Sequence, residues 1–145
     1  MALTGKCICG SVSYRIDADK AEVGACHCSV CRRFSGGVFF GLEAKPDEVT
    51  LKGEENLTRY ASSEWAERGF CKTCGASLFY RLTVGPLAGV YHFGAGTLDD
   101  WGDLKLGQEI FTTSRPGAFA LAGDHQRLSD EETLAMFAKF AGDEA

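Results

Sequence analysis

The chain has 145 residues, of which 45% are hydrophobic and 24% are charged, and its formal net charge is −5. This composition is ordinary for a soluble globular protein, and the length fits one domain spanning residues 1–145. An acidic chain has no basic surplus to displace counterions, so no nucleic-acid partner is expected. The N-terminal residues lack the apolar segment of a signal peptide, and no run approaches the length of a membrane span. We therefore expect a cytoplasmic protein without membrane contact.

The distribution of glycine and of apolar residues predicts many turns and short strands. There are 18 glycines, spread along the whole chain. Between them lie short segments with alternating polarity or a brief apolar run, which are typical of strands. These segments are residues 11–16, 38–42, 48–52, 57–60, 65–70, 77–82, 90–96 and 110–113.

The clearest predicted helix covers residues 130–141. Ser129 and Glu132 have the spacing of a capping box, in which each side chain bonds the backbone amide of the other residue. The apolar residues that follow share one helix face: Leu134, Phe137, Ala138 and Ala141. We expect this face to pack on the sheet, with a partner protein as the alternative contact.

All seven cysteines lie in three short clusters, with the patterns CxC, CxCxxC and CxxC. The members are Cys7 and Cys9, then Cys26, Cys28 and Cys31, then Cys71 and Cys74. Such short loops allow neighbouring thiolates to share one metal ion. Four ligands close a structural zinc site, whereas three leave one position open for water or substrate. Seven cysteines therefore predict two zinc ions per chain. Disulfides are the alternative, but the odd count and the absence of a secretory signal disfavour them.

The first and third clusters are predicted to form the four-ligand structural site. Cys71 and Cys74 have the spacing of a zinc knuckle, and Gly75 suits the left-handed backbone that completes such a turn. A knuckle supplies only two ligands, and the best second pair is Cys7 and Cys9, whose sulfurs face one side of an extended segment. Sixty-one residues separate Cys9 from Cys71, so this site would close a long loop.

The middle cluster is predicted to hold a catalytic zinc on three thiolates. Its fourth ligand could be His27, another residue or an exchangeable molecule. Because His27 lies between Cys26 and Cys28 in an extended segment, its side chain should point away from the metal. We therefore expect a supporting or partly buried role for this histidine.

Residues after the middle cluster are candidates for binding an anionic substrate. Arg32 and Arg33 could attract its carboxylates, although an ordinary solvated pair is the alternative. Ser35 and Gly36 could present backbone amides to a carboxylate, or the glycine could serve only a turn.

Three segments of the chain resemble the glutathione-dependent formaldehyde-activating enzyme family, which includes the centromere-protein-V-like proteins. They are residues 5–12, residues 26–33 with 35–37, and residues 70–75. Residues 96–100 resemble the family's turn after the core strands, and the resemblance covers about residues 5–128. It implies a mainly β architecture, the β-tent (Mss-four-like) zinc-binding fold of short antiparallel strands. It also implies the same division of the cysteines into two zinc sites.

The activity implied by this resemblance is the joining of formaldehyde to glutathione, a carbon–sulfur lyase reaction that gives S-hydroxymethylglutathione. Three features depart from the family pattern. Glu109 stands where many members have a histidine, residues 116–119 lack a frequent tryptophan, and His125–Gln126 replaces a late Leu-Pro pair. None of these positions belongs to a cysteine cluster.

Two other functions are compatible with the cysteine pattern. The chain could be a non-catalytic, zinc-stabilised binding module, or its middle cluster could be a redox or metal-responsive switch. Among the remaining histidines, His92 is interpreted as a core or sheet-surface residue, with proton transfer near the open zinc as the alternative. His125 is expected to be exposed. The sequence indicates no oligomeric state.

Overall fold

Two β-sheets and two helices make up the fold, which a computed structural model describes for residues 2–142. The strands are β1 (Ala2–Lys6), β2 (Ser13–Asp17), β3 (Val23–Cys26), β4 (Phe39–Ala44), β5 (Val49–Lys52), β6 (Leu57–Ala61), β7 (Ala66–Cys71), β8 (Ser77–Leu82), β9 (Tyr91–Gly94), β10 (Leu106–Ile110) and β11 (Gln126–Arg127). The helices are α1 (Ser29–Ser35) and α2 (Asp130–Gly142). The prediction of a mainly β protein with a C-terminal helix is confirmed. Neither helix has the length and apolar character that a membrane span requires, within the residues described.

The small sheet has the strand order β1-β2-β5, and the large sheet has the order β11-β10-β3-β4-β9-β8-β7-β6. Neighbouring strands are antiparallel except at one side of the large sheet, where β10 runs parallel to both β3 and β11. The expectation of antiparallel strands therefore holds everywhere but there. This parallel contact places Ile110 opposite Cys26, at the start of the middle cysteine cluster.

The main buried cluster contains side chains of both sheets, and a smaller one surrounds Cys26, Cys31 and Phe39. Tyr14 of the small sheet stacks on Phe93 of the large sheet, with ring centroids 4.1 Å apart. Gly5 on β1 makes this contact possible, because a Cβ at that position would lie 2.3 Å from the Tyr14 ring. The two sheets are thus joined by aromatic packing over a position that only glycine can occupy.

The segment around the middle cysteines differs from the expected extended chain. After β3 the backbone turns into α1, a seven-residue helix that the sequence did not indicate. The predicted strand at residues 110–113 is also displaced. β10 ends at Ile110, Phe111 has a left-handed φ of 55°, and a 3-10 turn covers Thr112–Ser114. The strands β1, β3 and β11 were not predicted.

Helix α2 begins as predicted but buries a different face. The Ser129 hydroxyl accepts from the Glu132 amide at 3.1 Å, and the Glu132 carboxylate accepts from the Ser129 amide at 3.0 Å. Leu134 and Phe137, however, are 58% and 41% exposed, so packing of the apolar face on the sheet was a wrong prediction. The predicted position Ala141 has its side chain outside the described part.

A buried threonine explains the orientation of α2. Thr133 is fully buried, and its hydroxyl accepts from the Phe111 amide at 3.0 Å. The Phe137 ring lies 6.0 Å from that of Phe111. The helix is therefore attached to the backbone at the end of β10, where the strand leaves an amide without a sheet partner.

Candidate metal centres

The four-cysteine centre is assembled by two turns from distant parts of the chain. Cys7 and Cys9 lie in the turn after β1, and Cys71 and Cys74 lie at the end of β7 and in the turn after it. The four sulfurs all lie within 4.8 Å of one another. Sγ of Cys9 is 3.7 Å from Sγ of both Cys7 and Cys71. A zinc ion with Zn–S bonds of about 2.3 Å has sulfurs about 3.8 Å apart, so these residues fit zinc.

The two turns of this centre end in the same way, although the turn at Cys71 is one residue longer. In each one a glycine follows the second cysteine with a left-handed φ, 79° at Gly10 and 78° at Gly75. The Gly10 amide donates to the Cys7 carbonyl, and the Gly75 amide donates to the Cys71 carbonyl. The left-handed conformation predicted for Gly75 is thereby confirmed. Both turns curl so that two sulfurs face one point.

Hydrogen-bond donors surround the sulfurs of the four-cysteine centre. The amides of Thr73 and Cys74 donate to Cys71 Sγ at 3.3 and 3.4 Å. The Ser11 hydroxyl lies 3.1 Å from Cys9 Sγ and 3.3 Å from Cys71 Sγ. The Ser11 hydroxyl and these amides lower the pKa of Cys71 to about 5. The thiolate that a metal requires is therefore favoured before the metal arrives.

The three-cysteine centre is local in the chain and mostly buried. Cys26 ends β3, Cys28 is the N-cap residue of α1, and Cys31 lies within that helix. Cys26 and Cys31 are 6% and 3% exposed, and the three sulfurs lie within 4.8 Å of one another. The Cys31 amide donates to Cys28 Sγ at 3.3 Å. Within residues 2–142, no further cysteine, histidine or carboxylate belongs to this group.

The three thiols differ in how readily they lose a proton. Hydrogen bonds with Cys26 and Cys31 lower the pKa of Cys28, while interactions with Cys28 and Cys31 raise the pKa of Cys26. The cluster therefore favours a thiolate at Cys28, the most accessible of its three sulfurs. Three ligands with the fourth position free suit a zinc site that exchanges ligands.

A buried arginine, Arg68 on β7, borders the three-cysteine centre. It is 5% exposed, and its Nη1 lies 3.4 Å from Cys31 Sγ. Its guanidinium lies over the Tyr80 ring at 4.8 Å and the Phe34 ring at 5.3 Å. Arg68 was not among the predicted site residues. The signal was present in the alternation of β7, which places Arg68 on the same inward face as the buried Ala66.

A second buried group lies around Glu109 on β10. The Glu109 carboxylate is bonded by His27 Nε2 at 2.7 Å, by His125 Nε2, and by Arg127 Nε at 3.1 Å. Although burial raises it, the hydrogen bonds from His125 and His27 lower the pKa of this carboxyl below its ordinary value. The imidazole of His27 is thus engaged with Glu109, in agreement with a supporting role.

The expectation for His125 is wrong, because its side chain is only 2% exposed. The reason is its contact with Glu109. Glu109 and His125 were two separate departures from the family pattern, and the structure shows that they contact each other. His92 agrees with its interpretation as a sheet residue, since its ring stacks on Tyr80 with centroids 4.3 Å apart.

The residues proposed for substrate binding mainly complete the end of α1. Arg33 is exposed, and Arg32 is half-buried. The Gly36 amide donates to the Arg32 carbonyl at 2.8 Å, and the Ser35 hydroxyl donates to the Cys31 carbonyl at 2.9 Å. These contacts show the turn role of Gly36, and binding of a carboxylate by Ser35 or Gly36 stays a prediction. Ser35 also borders a cavity of about 440 Å³ that reaches the turn at Gly75.

A mainly β fold that carries one four-cysteine and one three-cysteine cluster defines a class of protein with two candidate metal centres. The family model of the glutathione-dependent formaldehyde-activating enzyme matches residues 2–114, and the chain belongs to this family.

Individual relatives extend the comparison to most of the chain. An uncharacterized lyase of Schizosaccharomyces pombe is 26% identical over 137 residues, which cover 93% of this chain and 96% of the relative. A Halomonas elongata protein with the provisional name of glutathione-dependent formaldehyde-activating enzyme is 31% identical over 87 residues, 54% of this chain and 55% of the relative. The crystal structure of a Rhodobacter sphaeroides protein has a TM-score of 0.56 and 27% identity, covering 71% of this chain and 98% of that one.

Proposed function

We propose that the chain is a zinc-dependent carbon–sulfur lyase that joins a small thiol, such as glutathione, to an aldehyde, such as formaldehyde. The observation that carries this proposal is the three-cysteine centre. Cys26, Cys28 and Cys31 converge on one point, and no fourth protein ligand is present among residues 2–142. The family membership and the name of the Halomonas elongata relative support the choice of thiol and aldehyde.

In this proposal each centre holds one zinc ion, and the two ions have different roles. Cys7, Cys9, Cys71 and Cys74 hold a structural ion that links the N-terminal turn to the end of β7. Cys26, Cys28 and Cys31 hold the ion that takes part in the reaction. A reducing compartment such as the cytoplasm suits this use of seven free cysteines.

The reaction forms one S–C bond and opens the carbonyl π bond. The thiol sulfur attacks the aldehyde carbon, the π electron pair moves to the oxygen, and the proton lost by the thiol ends on that oxygen. When bound at the three-cysteine centre, zinc would supply the Lewis acidity that favours the substrate's thiolate form. The protein holds this position with three sulfurs and borders it with the aromatic rings of Phe34, Phe39 and Tyr80.

Binding calorimetry on zinc-loaded protein tests the proposal better than a rate assay, because thiols and formaldehyde also combine without an enzyme. Glutathione should bind to one site per chain and release a proton, and its affinity should rise with pH as the thiolate forms. S-methylglutathione is the matched ligand control, since it keeps the peptide but lacks the thiol. The variant Cys28→Ala should bind neither glutathione nor S-methylglutathione.

The contrary result would favour the binding module. If the three-cysteine centre holds zinc and no small thiol binds, the thiol chemistry is wrong for this chain. Equal binding of glutathione and S-methylglutathione would show that the peptide is recognised without use of its sulfur. A reaction rate no greater than that in buffer, despite thiol binding, would contradict the catalytic part alone.

A further inference from the structure

Arg68 is a buried cation whose anionic partner is a cysteine cluster. Carboxylates pair with Arg59 and Arg81 on the strands that flank β7, and both arginines bond Glu67. The salt bridges among residues 2–142 give Arg68 no carboxylate. Its polar contacts are Cys31 Sγ at 3.4 Å and the Ser62 hydroxyl at 3.2 Å.

A buried guanidinium without a counter-charge is strongly destabilising, so the anion at this position must be the sulfur cluster. A zinc ion with three thiolates has a net charge of about −1. The Arg68 charge brings the local sum to zero. A neutral fourth ligand leaves this net charge unchanged. An anionic fourth ligand makes it −1 when Arg68 is present and −2 when Arg68 is absent. The arginine therefore offsets the repulsion that an entering anion meets.

The guanidinium is also held in place. The Phe34 and Tyr80 rings contact it at 5.3 and 4.8 Å, and the Ser62 hydroxyl accepts from Nε. Because the side chain is 5% exposed, it cannot exchange this position for bulk solvent. A fixed charge needs no reorganisation when a ligand arrives, which makes its effect larger than that of a mobile surface arginine.

We propose that Arg68 is the fixed counter-cation of the three-cysteine centre and makes its open position selective for an anionic fourth ligand, the class to which a thiolate belongs. This inference rests on the proposed function only in placing a metal ion on Cys26, Cys28 and Cys31. Arg68 acts here as a positioning and specificity-determining residue, through the sulfur of Cys31. This role differs from the one that the sequence suggested for Arg32 and Arg33, attraction of a substrate's carboxylates, which stays a prediction.

Ligand binding to the cobalt-substituted holoprotein tests the inference without an activity assay. The visible absorption of Co²⁺ reports a change in its ligands, and two small probes differ in charge: azide is an anion and imidazole is neutral. The variant Arg68→Met keeps an unbranched apolar stem but removes the charge. Azide affinity should fall at least about tenfold in this variant, because a unit charge at close range is lost. Imidazole affinity should stay within about twofold of the wild type, because a neutral ligand does not meet the charge.

Two further variants keep the test decisive. Arg68→Lys retains the charge, so its azide affinity should stay within about threefold of the wild-type value, since the ammonium preserves the Coulomb interaction. Arg59→Met removes a charge from the neighbouring strand β6, where it is paired with Glu67, and should change neither affinity. If Arg68→Met does not fold, Arg68→Gln replaces it.

The outcomes separate this inference from the proposed function. If azide and imidazole affinities change together or not at all, or if Arg68→Lys loses azide as Arg68→Met does, the counter-cation role is wrong. A wild-type centre that takes azide but no glutathione would contradict the thiol chemistry and leave the role of Arg68 standing. Absence of cobalt from this centre would overturn both.

Discussion

The two cysteine clusters differ in how the protein surrounds them. In the four-cysteine centre Cys7 and Cys71 are buried in the main core, Cys9 is exposed, and the sulfurs are bonded by turn amides and Ser11. The three-cysteine centre is enclosed by aromatic rings, a buried arginine and a buried ionic group. The centre with four cysteine ligands thus has neutral hydrogen-bond donors beside its sulfurs. The centre with three has charged and aromatic side chains around it.

This difference indicates what each centre needs from the rest of the chain. A four-ligand site determines its own geometry once the turns bring the sulfurs together. A three-ligand site must also control which molecule takes its open position, and that requires charge and shape from outside the ligand set. In our proposal Arg68 from β7 supplies this charge, and Glu109 from β10 holds His27 between two of the ligands.

The largest expected effect separates the centres by stability. Cys71→Ala should unfold the protein, because zinc at such sites contributes roughly 10–16 kcal/mol, comparable to the whole stability of a domain. Cys28→Ala should leave a folded chain that binds one zinc ion in place of two. Near-ultraviolet circular dichroism and elemental analysis measure these outcomes. Equal loss of folded protein in both variants would show that the two centres do not divide structure and function.

Glu109→Gln tests whether the buried ionic group supports the three-cysteine centre. Hydrogen bonds to a charged group contribute roughly 1.5–3 kcal/mol each, so weakening this buried acceptor should lower the free energy of unfolding by about 3 kcal/mol. Zinc should be lost faster from the three-cysteine centre alone, because His27 loses the partner that orients it between two ligands. Urea titration and chelator kinetics measure the two effects. Glu43→Gln, at an exposed position on β4, is the matched control and should have little effect on either.

His92 gives the region around Arg68 a predicted pH dependence. Burial and the Arg68 charge lower the pKa of His92 from 6.5 to about 4. A depressed pKa contributes stability that is present above pH 6.5 and is lost as the pH falls towards 4. The wild type should therefore lose up to about 3 kcal/mol relative to His92→Phe across this range. Parallel urea-unfolding curves for the two proteins from pH 7 to pH 4 would contradict this expectation.

The smallest expected effect concerns Ser11, whose hydroxyl lies between the sulfurs of Cys9 and Cys71. Ser11→Ala should weaken zinc binding at the four-cysteine centre by roughly tenfold, as is typical when a hydrogen bond to a ligand is removed. Competition with a chromophoric chelator measures the affinity. Zinc at the three-cysteine centre serves as the internal control. A change at that centre as well would mean that the two sites are coupled.

Local patterns in the sequence predicted local structure well. The predicted strand at residues 77–82 matches β8 in both bounds, and the cap of α2 forms as its residues indicate. Helix α1 was missed because it has only seven residues and its N-cap is the thiol of Cys28, which is not a usual capping group. The predicted apolar face of α2 failed because a single threonine hydroxyl, bonded to the backbone at Phe111, determines how the helix docks.

The cysteine clusters were predictable, and their surroundings were not. Spacing alone brings sulfurs together within a turn, whereas the contacts that distinguish the centres connect distant positions. Arg68 and Cys31 are 37 residues apart, and His27 and Glu109 are 82 residues apart. Such contacts depend on strand order, in particular on the parallel pairing of β10 with β3, which no local pattern indicates.

The distance between the two halves of the four-cysteine centre has a consequence during synthesis. Cys7 and Cys9 leave the ribosome early, but Cys74 follows 65 residues after Cys9. At a synthesis rate of about 5–20 residues per second, this delay is roughly 3–13 s. Throughout it the first two thiols are half of an unfinished site, while the three-cysteine segment can already be complete. The nascent chain thus passes through a stage in which the cysteines of the three-cysteine centre are all present before those of the four-cysteine centre, with two thiols open to oxidants and foreign metal ions.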